Sequence, residues 1–191
     1  MRDGQPGDVR TLDSLEALVA LGNPDRARLM DALTVHGMST TSALAAMTGL
    51  ATGSVSHHMQ VLSRAGLVER AEQGEDRRQR RWRLVTRGYH WSPAQFRDHP
   101  AGQATVRAAM GVQVDRERDR AQEFVQNAVA PWDDAAFAGH YWLRLTPAEL
   151  VEFGNEIDAL MLRWRRREIP GDGDPSRREV LAFARAFPSQ A

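Results

Sequence analysis

The chain contains neither cysteine nor lysine. Without cysteine there is no disulfide, no thiolate metal site and no cysteine nucleophile, and redox logic leaves the compartment open. Without lysine every basic side chain is arginine, and 25 of them balance 25 acidic residues for a formal net charge of zero. With alanine so abundant, this reads as the codon usage of a GC-rich genome. The physical consequence is that each basic contact is a planar fork suited to phosphate or to guanine edges. A chain of zero net charge is no polycation, so any nucleic-acid footprint must be local. No apolar run approaches a membrane span. The opening MRDGQPGDVR lacks the apolar core of a signal peptide. A cytoplasmic protein with no membrane partner is the expectation.

What is present is mostly helical patterning. Residues 1–12 are polar and glycine-containing, as in a flexible arm. Asp13 or Ser14 can cap a short helix bearing Leu15, Leu18, Val19 and Leu21, which Gly22 ends. Asn23-Pro24 starts a second helix, with Leu29, Met30 and Leu33 as its stripe and Gly37 as its stop. Ser39-Thr40-Thr41 offers caps for a third, short helix. After the turn Thr48-Gly49-Leu50, a fourth helix puts Val55, Met59 and Leu62 on one inward face. Two helices joined this way make a helix-turn-helix. Leu67–Ala71 and Arg80–Val85 then read as two strands around the hairpin tip Gln73–Asp76, with Trp82 and Leu84 on one face. That wing makes the first part, residues 13–88, a winged helix.

Residues 89–102 read as an irregular connector anchored by Tyr89, Trp91 and Phe96. A long helix over 103–130 follows, with Val106, Met110 and Val114 in one apolar patch. The final part, 131–191, reads as strand, helix, strand. Phe137 to Leu145 alternates, Thr146-Pro147-Ala148-Glu149 is a capping box, and Val180 to Phe187 closes the unit. The fold class is therefore α+β, mostly helical: a winged helix-turn-helix, a long dimerisation helix and a small strand-helix-strand unit.

The six histidines carry no metal-ligand spacing. His57 and His58 are adjacent and point about 100° apart on a helix, so they cannot share an ion as His at i and i+4 would. His58 is expected at the edge of the core and His57 on the outer face. No HExxH motif, nucleophile elbow or phosphate-binding glycine loop occurs. No enzyme, cofactor or metal site is expected.

A nucleic-acid groove uses more of the pattern. With Val55, Met59 and Leu62 inward, Thr52, Ser54, Ser56, His57 and Gln60 lie on or near the opposite face, with Thr41 at the start of the third helix. Such groups reach base edges and phosphates from a helix in the major groove. The hairpin carries Arg77, Arg78, Arg80 and Arg81, suited to the phosphate backbone or a narrow minor groove. Glu72, Glu75 and Asp76 dilute that charge. A solvated hairpin is the plainer alternative.

The segment LGNPDRARLMDALTVHGMSTTSALAAMTGLATGSVSHHMQVLSRAGLVERAEQGEDRRQRRWRLV resembles the winged helix-turn-helix of the ArsR-type bacterial transcription regulators. The matching features are Leu-Gly-Asn-Pro-x-Arg-x-x-Leu-Met-x-x-Leu, Val-Ser-x-His-Met-x-x-Leu and the Ala-Gly-Leu-Val exit. The remainder is similar, more loosely, to an actinobacterial branch of that group, through Leu-Thr-Pro-Ala-Glu-Leu and a closing Ala-Phe-Pro. The resemblance implies a homodimeric repressor on an imperfect DNA palindrome, with Thr52, Ser54, Ser56, His57 and Gln60 on the recognition helix and Arg77–Arg81 in the wing. The metal-sensing members use cysteines near the third helix, or Asp/His pairs on the helix after the wing. This chain has no cysteine, and no histidine between 103 and 129. A winged helix used for protein contact, and a metal-responsive regulator, are the alternatives. The C-terminal region is expected to extend the dimer or to hold a small-molecule effector.

Overall fold

Helix starts in this chain follow their caps. In the computed structural model, which describes residues 10–71, 81–86, 88–90, 93–99, 101–165 and 176–190, helix α1 (Leu15–Leu21) begins at Ser14, whose hydroxyl accepts from the Ala17 N–H at 3.4 Å. Helix α2 (Pro24–His36) begins at Asn23, whose side-chain oxygen accepts from the Arg26 N–H at 3.1 Å. The Arg26 guanidinium reaches back and donates to the Ala20 and Val19 carbonyls, satisfying the end of α1. Gly37, at φ 69°, stops α2 in a conformation a side chain would strain. Helix α3 (Thr41–Thr48) is capped by the Thr40 hydroxyl and ends at Gly49 in the left-handed region. Helix α4 (Thr52–Arg64) follows after a three-residue turn.

The wing is one strand wider than the sequence suggests. Strand β3 (Val68–Ala71) pairs antiparallel with β4 (Arg81–Leu84), in the register Val68↔Leu84 and Arg70↔Trp82. Strand β2 (Ser39–Thr40) adds to the other edge of β4, Ser39 opposite Trp82. A strand of two residues has no period to detect, and Ser39-Thr40 reads as a cap because Thr40 also is one. The hairpin tip lies outside the described residues. A second small sheet pairs β1 (Arg10–Thr11) in parallel with β5 (Tyr89–His90).

Two expectations are corrected here. Residues 10–12 are no loose arm: they carry β1, and Leu12 is buried in the core. The connector is less irregular than expected, since it opens with β5 and includes a 3-10 turn at Pro93–Phe96 that plants Phe96 in the core. Tyr89 is also tied down, its hydroxyl donating to the Leu67 carbonyl at 2.8 Å. Trp91 lies outside the described residues.

The core joins Leu18 of α1, Leu29 of α2, Leu44 of α3, Val55, Met59 and Leu62 of α4, and Leu67 and Val68 at the entry to the wing, all essentially inaccessible to solvent. The long helix α5 (Gly102–Asn127) contributes Val106 and Ala109 to it, and Arg116 forms an ion pair with Asp31 of α2.

The chain divides into two units, residues 1–122 and 123–191. The second contains α6 (Trp132–Ala135) and α7 (Pro147–Arg165). The capping box forms as expected: Glu149 accepts from the Thr146 N–H at 2.7 Å, and Thr146 accepts from the Glu149 N–H at 3.3 Å. The Thr146 N–H and the Thr146 hydroxyl, which donates to the same carboxylate at 2.8 Å, hold the Glu149 carboxyl below its usual pKa. The flanking stretches 137–145 and 180–187 have no regular secondary structure and join no ladder, so the expected strands are absent among the described residues. The helix of the expected strand-helix-strand unit is present; its strands lack a partner.

Candidate nucleic-acid interface

Helix α4 is divided by burial into two faces. Val55, Met59 and Leu62 are each 0% exposed, whereas Thr52, Ser54, His57 and Gln60 are open to solvent and Ser56 is half-buried at the border. His57 and Gln60 are three positions apart and so share a face. The Gln60 amide makes no hydrogen bond among the described residues, which leaves its donor and acceptor available to a partner. Ala51 provides no side-chain cap, so the first N–H groups of α4 are likewise left open at the end where the helix dipole is positive.

Thr41 is placed differently from the α4 residues. It is half-buried, and its hydroxyl accepts from the Trp82 indole N–H at 3.2 Å. This bond ties the first turn of α3 to the wing. Its hydroxyl hydrogen is still able to donate.

In the wing, alternation sends Trp82 and Leu84 inward and Arg81 and Arg83 outward. Arg83 is engaged by Glu69 directly across the ladder, at 2.8 Å. Arg81 is exposed and makes no ion pair among the described residues. Arg70 lies over the Trp82 ring, 4.8 Å from its centroid. Arg77, Arg78 and Arg80 lie outside the described residues. Sequence reasoning passed over Arg64, exposed in the last turn of α4, and Arg70. The helical period locates Arg64. Arg70 is visible only once Trp82 is known to face it.

His58 packs at the core edge as expected, with a side chain only 15% exposed. Its Nε2 is 3.9 Å from Asp25, and its Nδ1 is buried without a partner. Burial lowers its pKa below the ordinary 6.5; Arg26 and His57 lower it further, and Asp25 opposes them. The unfolded chain therefore binds this proton more readily than the folded one. The associated stability is fully present above about pH 6.5 and is lost as pH falls towards the lower folded value. The melting temperature should drop on acidification below that point, and should drop less in His58→Gln. Equal acid sensitivity in both proteins would show that His58 titrates freely.

Among the described residues no three His, Asp or Glu side chains converge to hold a metal ion, and no helix is long and apolar enough to cross a membrane. Residues 21–71 match the family model of a helix-turn-helix domain. No curated protein matches the chain. Among solved structures it is similar to the homodimeric winged helix-turn-helix DNA-binding domain (fragment 1–100) of Mb0332 from Mycobacterium bovis, described as a possible ArsR-family transcriptional regulator. The two are 24% identical over 53% of this chain and 76% of that one, with a TM-score of 0.34. NMB1585, a MarR family regulator from Neisseria meningitidis, is 16% identical over 74% of this chain and 75% of its own, with a TM-score of 0.33. The firmer likeness is the helix-turn-helix match, which spans α2, β2, α3, α4 and β3.

Proposed function

We propose that this chain is a sequence-specific, DNA-binding transcription regulator of the ArsR type, a homodimeric repressor acting in the cytoplasm on an imperfect palindrome. The observation that carries the reading is the division of α4, with an apolar face wholly buried and an opposite face of hydroxyl, imidazole and amide groups left open. A solvated surface helix in a neutral protein is ordinarily covered in charged residues. This one offers short, neutral hydrogen-bonding groups, which suit base edges. In this reading residues 13–88 bind DNA, with Thr52, Ser54, Ser56, His57 and Gln60 in the major groove and Arg77, Arg78, Arg80 and Arg81 against the backbone. Thr41, at the start of α3, is assigned to the same interface.

Dimerisation is assigned to α1 and to residues 103–130, the segment that holds α5 from Gln103 onward. Val19 on α1 is 52% exposed, and Met110 and Val114 on α5 are 37% and 45% exposed. Apolar side chains at such positions favour an isologous contact between two copies. Two recognition helices related by a twofold axis would read two half-sites of a palindrome.

The test is selection from a randomised duplex library with the full chain, followed by titration of the enriched sequence over a range of salt. An inverted repeat is expected. Arg78→Ala and Arg81→Ala should each lower the slope of log affinity against log salt by ~0.9, and should weaken binding to all sequences alike. A library that yields no enriched duplex would transfer the exposed face of α4 to protein contact. Unaltered slopes in both variants would reduce the wing to a solvated hairpin.

A further inference from the structure

We infer that residues 123–191 form a unit only when two copies of this chain join, the unladdered stretches 137–145 and 180–187 pairing as strands between the copies. This rests on the homodimer proposed above, but not on its DNA binding. The second unit has no interior of its own: none of its described residues is buried, although the first unit packs a continuous core. Large side chains that ordinarily drive folding stand in water. Phe137 is 96% exposed, Tyr141 85%, Trp142 71%, Trp164 61%, Phe183 52% and Phe187 65%.

The amount of exposed surface decides what could cover it. If a fully exposed ring offers about 200 Å², these six present roughly 850 Å². That matches the roughly 800 Å² that each partner contributes to a standard interface. Burial of these rings between two copies would therefore supply an interface of ordinary size.

The backbone sets the mode of contact. In 137–145 the apolar residues Phe137, Tyr141, Leu143 and Leu145 fall at odd positions, the period of a strand with one buried face. Neither this stretch nor 180–187 belongs to a ladder. Burying these side chains also buries their peptide groups, which must then be paired. Pairing with the same stretches of another copy meets both needs. A second copy is the occupant because an apolar patch is complementary to itself across a twofold axis, and because a chain of zero net charge does not repel its own copy.

The experiment is hydrogen-exchange mass spectrometry on the full chain over a dilution series, with mass measured by light scattering in parallel. Amides in 137–145 and 180–187 should exchange at least about tenfold more slowly in the dimer than after dilution to monomer. Phe137→Asp combined with Tyr141→Asp should abolish that protection and weaken the dimer at least about tenfold, while the amides of α4 stay protected. A dimer whose two stretches exchange freely would overturn the inference. So would protection that persists in a monomer, since the stretches would then be covered within one chain. Failure to bind any duplex would remove the proposed function and leave this result standing.

Discussion

Val55→Asp is expected to unfold the winged domain outright. Val55 is 0% exposed, and α4 presents it to the same core as Leu18, Leu29 and Leu44. A carboxylate there would have no cation to pair with and no water, and an unpaired buried charge costs more than a domain of this size can spare. The expected loss exceeds ~4 kcal/mol, which belongs to the small class of severe substitutions. Val55→Ala removes the methyl groups without the charge. It should lose no more than roughly the 1.5–3 kcal/mol of a buried aliphatic side chain and still melt cooperatively. Circular dichroism melts of the two variants beside the parent are sufficient. An aspartate variant that melted like the parent would mean that α4 does not seat this face inward, and the assignment of its opposite face would go with it.

The second large effect is expected on DNA. Gln60→Ala, on the same helix but pointing out, should leave the melt unchanged and cost on the order of 1–3 kcal/mol at the selected operator. Binding to random duplex should hardly change, because phosphate contacts made elsewhere survive. His57→Ala, on the same face, should act in the same direction. The two classes of variant separate reading from folding, since Val55 and Gln60 are five positions apart on one helix and differ only in which way they face. If Gln60→Ala and His57→Ala both bind the operator as the parent does, α4 does not enter the major groove.

Much of this could be read from the residues because the signals are local. Ser14, Asn23 and Thr40 cap the helices they precede, and Gly37 and Gly49 end them with positive φ. The i, i+4, i+7 spacing of Val55, Met59 and Leu62 places three fully buried side chains correctly, and strand alternation does the same for Trp82 and Leu84. What could not be read depends on partners distant in sequence. Nothing around Ser39 announces Trp82 across a ladder, and nothing in Arg10–Thr11 announces Tyr89. The arginines of the wing look equivalent as a string. The register makes them unequal, since Arg83 is held by Glu69 while Arg81 is open. The C-terminal stretches differ from expectation for a related reason: alternation shows that a stretch can pair, not that a partner strand lies beside it.

The β2–β4 ladder also bears on how the domain is made. Ser39 pairs with Trp82, and the Thr41 hydroxyl accepts from the same indole. Helix α4, proposed to read DNA, lies entirely within the loop these contacts close. No contact can form before both of its residues exist, so on the ribosome α4 leaves the exit tunnel well ahead of the strand that fastens the wing. Through that interval the nascent helix-turn-helix lacks its wing, and Val68 waits for Leu84. Closure of so wide a loop is slower than winding a helix. A pause in translation after α4 has left the tunnel but before Leu84 has would therefore prolong a state in which the proposed DNA-reading face exists without its wing.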